Sequence, residues 1–317
     1  MLVTTIKNVE ELNVEGIMNE IKKCDNIIIT HWGDFHADEV TASALLNTFV
    51  AEEFYTIRVP HQADVEEIKS KVLEADSSTK IFILDVGRKF DSENLYFDHH
   101  QFTASEMPVS SAGMIWNWLK EQGLINKIVE EELDNMIKAV DENDIGITPF
   151  KPGDYSWIIH NLNSDDSYDH KRQSIAFYKA QKLASDIFMR IKKDSEAALS
   201  AQAQMEKLES FKLNSEDEFE VLEIPDDMED AKDLWWKVIF NIPKFDKVDA
   251  IIRHKPETGE WSAQTVALKD DRFTKRGRAI KAVDPLPDDI VFVHNAQFFM
   301  VAKTRDALIA YLKENFR

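Results

Sequence analysis

Asn26-Ile-Ile-Ile-Thr30-His31-Trp-Gly-Asp-Phe-His36-Ala-Asp38 decides the fold of this 317-residue chain. The apolar run before His31 has no polar alternation, which fits a strand buried on both faces and ending at a polar cluster. From His36 to Glu53 the spacing turns helical, with Ala37, Val40, Ala44 and Leu45 on one stripe. Tyr55 to Val59 reads as a second strand, Ala63 to Leu73 as a helix, and Lys80 to Val86 as a third, almost wholly apolar strand. This alternation predicts an α/β fold, a parallel sheet with helices on both faces. Ligands of such sheets gather at strand carboxyl ends beside a reversal of strand order. The His31–Asp38 cluster and Asp85 both fall at such ends.

Working outward, residues 9 to 23 read as an amphipathic helix, and helices are expected over 110–121 and 125–140. Residues 170–212, rich in Ala, Lys, Glu and Gln, form a long helix or helix pair. Glu218–Ile224, Lys247–Arg253, Trp261–Ala267 and Ile290–His294 are strand-like, and Thr304–Glu314 is a closing helix. The expected domains are a metal-binding catalytic domain over 1–165, a helical connector over 166–212, and a smaller substrate-binding α+β domain over 213–317.

Hydrophobic content of 44% and charged content of 30% suit a soluble globular protein. No apolar run approaches a membrane span, and the N-terminus lacks the pattern of a secretory signal. The single cysteine, Cys24, cannot form an internal disulfide and fits the cytoplasm. A net charge of −20 argues against coating nucleic acid through the overall field, while leaving room for a local basic groove.

The chemistry lies in four segments: His31 to Asp38, Asp85, Asp98-His99-His100, and Asp141 in Ala-Val-Asp141-Glu-Asn-Asp144-Ile-Gly146. His31, His36 and Asp38 sit on a strand-to-helix turn, where they either converge on metals or serve as polar turn residues and helix-start acids. Asp85, if buried, must be paired or metal-bound; an ordinary turn acid is the other reading. In Asp98-His99-His100 one imidazole is directed to metals and the other is free to meet substrate. Asp141 closes the set, with Asp144 or Glu142 able to take its place.

Mixed imidazole and carboxylate donors favour manganese, with magnesium, iron or zinc also compatible. Two divalent ions held together form the clamp needed for in-line phosphoryl displacement, which makes a metal-dependent phosphoesterase the expected function. Ser110 and Ser111, at a helix start, either donate to phosphate or cap the helix. Lys275, Arg276 and Arg278 beside Phe273 suit a phosphate chain and a stacked base, or form a solvated loop. His294, Lys303 and Arg305 form a second basic candidate. Trp116, Trp118, Trp235, Trp236 and Trp261 are expected in the core, and His61, His160, His170 and His254 receive no role.

These segments resemble the DHH phosphoesterase superfamily, named for its Asp-His-His triplet, and within it the Myg-one (melanocyte-proliferating gene) family. The matching residues are Thr30-His31-Trp-Gly-Asp-Phe-His36-Ala-Asp38-Glu39, Asp85-Val-Gly87, Tyr96-Phe-Asp98-His99-His100-Gln101, Ser110-Ser-Ala-Gly113 and Ala139-Val-Asp141. Val291-Phe-Val-His294-Asn-Ala296 and Thr304-Arg305 extend the match to the C-terminus. The resemblance implies a two-metal DHH domain facing a smaller domain across a cleft, and a 3′–5′ exonuclease acting on single-stranded RNA or short oligonucleotides. By position, it implies that His31, His36 and Asp85 hold one metal. Asp38, Asp85, His99 and Asp141 then hold the other, and His100 contacts the scissile phosphate or its leaving group. Phe299-Met-Val-Ala-Lys303 stands where relatives have a Gly-rich run, so the substrate is open to change. A small-molecule phosphohydrolase acting on pyrophosphate or a dinucleotide is the alternative, and an inactive metal-binding protein a third. The oligomeric state is left open, with a homodimer as one possibility.

Overall fold

The computed structural model describes residues 3–6, 11–13, 15, 16, 19, 26–52, 54–214, 219–268 and 271–317, the side chains of 271–276 excepted. Most of the helix expected over 9–23 lies outside these residues. The chain divides into two compact units, Met1–Lys193 and Asp194–Arg317.

In the first unit, strands β1 (Val3–Thr5), β2 (Asn26–His31), β3 (Tyr55–Val59), β4 (Lys80–Leu84), β5 (Phe90–Asp91) and β6 (Tyr96–Phe97) form one sheet in the order β1-β3-β2-β4-β6-β5. Every pair is parallel except β5 with β6 at the edge. Side-chain alternation divides the apolar strands between two cores. Ile28, Phe82 and Leu84 face helices α1 (Ala37–Phe49), α3 (Ser111–Glu121), α4 (Lys127–Asp144) and α6 (His170–Met205). Ile27, Ile29, Ile57, Ile81 and Ile83 pack on the other face with Val65, Ile68 and Val72 of α2 (Val65–Ala75). Burial on both faces is the physical reason these strands lack polar alternation.

From β2 the chain crosses through α1 to β3 on one side, then through α2 to β4 on the other side of β2. The order therefore reverses between β2 and β4, where Ile29 pairs with Ile83. His31 closes β2 and Asp85 follows β4, so both stand at the switch point.

The second unit carries a sheet in the order β13-β14-β10-β9-β8-β7, built from Phe211–Lys212 (β7), Glu220–Ile224 (β8), Val248–Lys255 (β9), Glu260–Thr265 (β10), Ile290–Val293 (β13) and Phe299–Ala302 (β14). A separate hairpin joins Ala267–Leu268 (β11) to Asp271–Arg276 (β12). Helices Glu229–Val238 (α7) and Arg305–Asn315 (α8) complete an α+β arrangement. The divergent Phe299–Lys303 stretch is largely an interior strand, with Met300 and Ala302 fully buried, which accounts for its large apolar residues. Trp116 and Trp235 lie in the core as expected, whereas Trp236 is 41% exposed on α7 because its neighbour Trp235 takes the inward face. None of the described helices is long and apolar enough to cross a membrane.

Candidate metal centre

His31 sits at the end of β2, buried, with Nδ1 2.8 Å from the Trp32 carbonyl. Donation from Nδ1 leaves the Nε2 lone pair for a metal. That nitrogen lies 2.9 Å from Glu39 Oε1 and 3.3 Å from Asp85 Oδ2. Beneath it, the fully buried Arg58 donates from Nε to the His31 carbonyl and from Nη2 to that of Gly33. Asn163 grips the same loop, accepting from the Phe35 N–H and donating to its carbonyl. The turn that carries His31 and His36 is thus held from two sides.

Asp85 occupies a left-handed backbone position, φ 54°, immediately after β4, and its side chain is buried. Few residues other than Gly, Asn and Asp adopt this conformation readily. Asp85 Oδ1 lies 3.4 Å from both His99 Nε2 and His100 Nδ1. His99 Nε2 also lies 3.0 Å from Asp144 Oδ2 and 3.8 Å from Asp38 Oδ2. Asp98 is a brace: Oδ1 accepts from the backbone N–H of His100 and lies 2.8 Å from its Nδ1, while Oδ2 accepts from the Arg88 N–H.

Three groups of donor atoms each fall within 4.8 Å of one another: His31, His36, Glu39 and Asp85; Asp85, His99 and His100; and Asp38, His99 and Asp144. Asp85 and His99 are each shared by two groups. Among the described residues, His31 Nε2, Asp38 Oδ1, Asp85 Oδ1 and His99 Nε2 are buried and form no hydrogen bond of good geometry. Buried polar atoms without partners are costly. Four of them drawn from three strand ends and a helix start fit a centre that divalent cations complete.

Charge within the cluster points the same way. Burial, then the charges of Asp85, Asp144 and Glu39, pushes the Asp38 carboxyl well above its usual range. Burial also raises Asp85, but the His31 and His99 imidazoles beside it outweigh that and hold it low. Burial lowers His99, yet Asp144 and Asp85 carry it up to about 10. Each imidazole is standing in for positive charge that a bound ion would supply.

Asp141, one turn before Asp144, has a different setting. Its Oδ1 accepts from the Ser110 N–H at 2.9 Å, the Ser110 hydroxyl at 2.8 Å and the Gly113 N–H at 3.0 Å, so it covers the N-terminus of α3. Asp38 Oδ2 takes the neighbouring Ser111 N–H at 3.0 Å. Free N–H groups at a helix start attract carboxylates, and here two come from other helices. The Ser110 hydroxyl is therefore engaged, while the Ser111 hydroxyl is buried without a hydrogen bond. Burial raises the Asp141 carboxyl to about 6 against the pull of these donors.

The cluster borders a cavity of about 300 Å³ lined by Asp38, Asp85, His99, His100 and Asp144, and also by Phe150 and His160. Asp144, the alternative to Asp141 in the sequence reading, belongs to this neighbourhood, as do Glu39 and His61, which received no role from sequence. Glu39 has the capping-box spacing from His36 and binds its N–H, a local signal for its position. His61 stacks on His31 at 4.4 Å, a contact with no sequence signature.

The remaining candidates lie in the second unit. Arg278 Nε donates to Asp249 Oδ1 at 3.2 Å, and Arg305 Nε donates to Glu223 Oε2 at 2.9 Å. His294 Nδ1 accepts from the Ala296 N–H. The side chains of Lys275 and Arg276 lie outside the described residues.

A family model described as MYG1_exonuc, Uncharacterised protein family (UPF0160), matches residues 27–315. The MYG1 protein of Chlamydia trachomatis is 32% identical over 169 residues, covering 51% of this chain and 53% of the relative, so the match spans about half of each. The MYG1 exonucleases of Bos taurus and Homo sapiens are 20% and 21% identical, each over 89% of this chain and over 82% and 83% of their own lengths. A solved exopolyphosphatase-related protein from Bacteroides fragilis covers 95% of this chain at 11% identity, with a TM-score of 0.21, too loose a superposition to inform the site.

Proposed function

From the premise that this chain belongs to the MYG1_exonuc family (UPF0160), we propose that it is a metal-dependent phosphoesterase that removes nucleotides from single-stranded RNA or short oligonucleotides in the 3′–5′ direction. The observation that carries this reading is the set of buried donor atoms of His31, Asp38, Asp85 and His99, none in a hydrogen bond of good geometry, of which the last three residues line one cavity. His31, His36, Glu39 and Asp85 would hold one cation and Asp38, His99 and Asp144 the other, while Asp85 also groups with His99 and His100 between them. The imidazole–carboxylate mixture favours manganese. Such a pair supplies charge neutralisation at phosphorus and a more acidic water.

The chain's own residues position and donate. Asp98 holds His100 through Nδ1 and, first by that contact, raises the pKa of the half-exposed ring above its ordinary value. With Nδ1 held by Asp98, Nε2 of His100 is the ring atom left to face a phosphate oxygen or the leaving group in the cavity, and in the protonated ring it is a donor. The Ser111 hydroxyl is the second donor we assign to phosphate. Arg278, His294 and Arg305, together with Lys275 and Arg276, remain the residues proposed to meet the rest of the substrate, and a reducing, cytoplasmic setting fits the single cysteine.

A panel running from pyrophosphate to end-labelled RNA and DNA oligomers, each with and without manganese, tests the reading. Manganese-dependent release of mononucleotides from RNA, from the 3′ end inward, is expected. Hydrolysis of pyrophosphate with every oligomer left intact overturns it in favour of a small-molecule phosphohydrolase. Metal binding without hydrolysis of any substrate points to the inactive protein.

A further inference from the structure

The cavity that holds the acidic–histidine cluster has a second, unlike lining. Phe150 is 40% exposed and lies beside His160, their ring centroids 5.4 Å apart and their planes tilted by 39°. Neither ring belongs to the metal-ligand set, and burying the Phe150 face would be favourable if anything stood against it.

The segment that presents Phe150 is built to hold it. The N–H groups of Ile147 and Thr148 both donate to the Glu142 carbonyl, tying the start of the loop to the helix that carries Asp144. The Lys151 N–H donates to Asp154 Oδ2 at 2.8 Å. Pro149 and Pro152 flank Phe150-Lys151 and restrict the backbone there. His160 ends α5 (Tyr155–His160), which Tyr155 Oη ties to Thr41 of α1 at 3.0 Å. Asn163 donates to the His160 carbonyl and, at the same time, pairs with the backbone of Phe35, next to His36. The two rings are thus anchored to the same helices and loop that carry Asp38, His36 and Asp144. An aromatic side chain ordered in advance loses little entropy when a ligand stacks on it.

We propose that Phe150 and His160 form a seat for the unpaired base of the terminal nucleotide, placing its phosphate at the cluster of Asp38, Asp85, His99 and Asp144. This rests on the phosphoesterase reading above. A cavity of about 300 Å³ is of the size that takes one small ligand such as a mononucleotide, and a base stacked on these rings has left its pairing partner, so the substrate class is a single-stranded end. Ring stacking accepts any base, so no sequence preference follows.

The test compares AMP with ribose 5-phosphate, which differ only by the base, using calorimetric titration of the full chain with manganese present. The wild type is expected to bind AMP about tenfold more tightly, the scale of one base–aromatic stack. F150A should erase that preference while retaining the affinity for ribose 5-phosphate, and F150W should restore it. Equal binding of the two ligands by the wild type, or an undiminished AMP preference in F150A, overturns the proposal. An oligonucleotide with an abasic terminal residue separates this inference from the functional reading. Cleavage of the abasic and normal ends at equal rates removes the base seat and leaves the phosphoesterase. A Phe150-dependent AMP preference without any hydrolysis supports the seat and removes the phosphoesterase.

Discussion

The Asp141 carboxylate fills the space beside Gly113: a Cβ at Gly113 would lie 2.3 Å from Asp141 Oδ2 and 2.6 Å from Oδ1. The glycine is required by this close approach, since three donors at the start of α3 converge on the same carboxylate. A side-chain end can usually swing away from a new methyl, but this one must release those donors to do so. G113A is therefore expected to lower the unfolding free energy by about 2–4 kcal/mol, combining overpacking with loss of charge-assisted hydrogen bonds. A urea midpoint within error of the wild type would contradict it.

The two acids of α4 should part company on mutation. D141N keeps an Oδ1 that can accept from Ser110 and Gly113, whereas D144N removes the carboxylate 3.0 Å from His99 Nε2. Calorimetric titration with manganese should show about tenfold or greater loss of affinity in D144N and little change in D141N, in line with removal of a metal ligand. Equal losses would return the ligand role to Asp141, as the family resemblance implies.

Asp85 calls for a substitution that respects its backbone. At φ 54°, asparagine is well tolerated, while alanine carries strain of about 1–2 kcal/mol. D85N should reduce hydrolysis by roughly a hundredfold or more through loss of the shared carboxylate, with a melting temperature close to that of the wild type. D85A should be equally inactive and less stable. Retained turnover in folded D85N would remove Asp85 from the reaction.

Proton uptake provides a test that needs no substrate. The metal-free His99 has a pKa of about 10, above the ordinary 6.5. Its contribution to the stability of the metal-free protein is complete below pH 6.5 and is lost as pH rises through 10. Coordination requires the neutral ring, so manganese must displace this proton, and affinity should climb with pH up to about 10. Titrations at pH 7.5 in buffers of different ionisation enthalpy should report net proton release. A heat independent of buffer would refute the protonated state of the cluster.

Much of the first unit is legible in the sequence because its strands state their own burial. Ile27–Ile29 and Ile81–Leu84 are apolar at every position, as a sheet covered on both faces asks. The second unit is less legible: the interior strand Phe299–Ala302 is only four residues long, and Glu229–Val238 begins with a run of acids. The short helix Tyr155–His160, which carries His160 to the cavity, offers too few turns for periodicity to register.

The sequence by itself determined the alternation of strands and helices, the polar clusters at their ends and the donor types suited to divalent cations. These depend on residue chemistry and on spacings within single elements. Tertiary structure decided which donors meet. Asp141 and Asp144 share a helix face at i and i+3, and the choice between them arises only because the start of α3 takes the first and His99 reaches the second. His61 and Phe150 come to the centre the same way, through crossovers and loops that join positions far apart along the chain, where local periodicity carries no information.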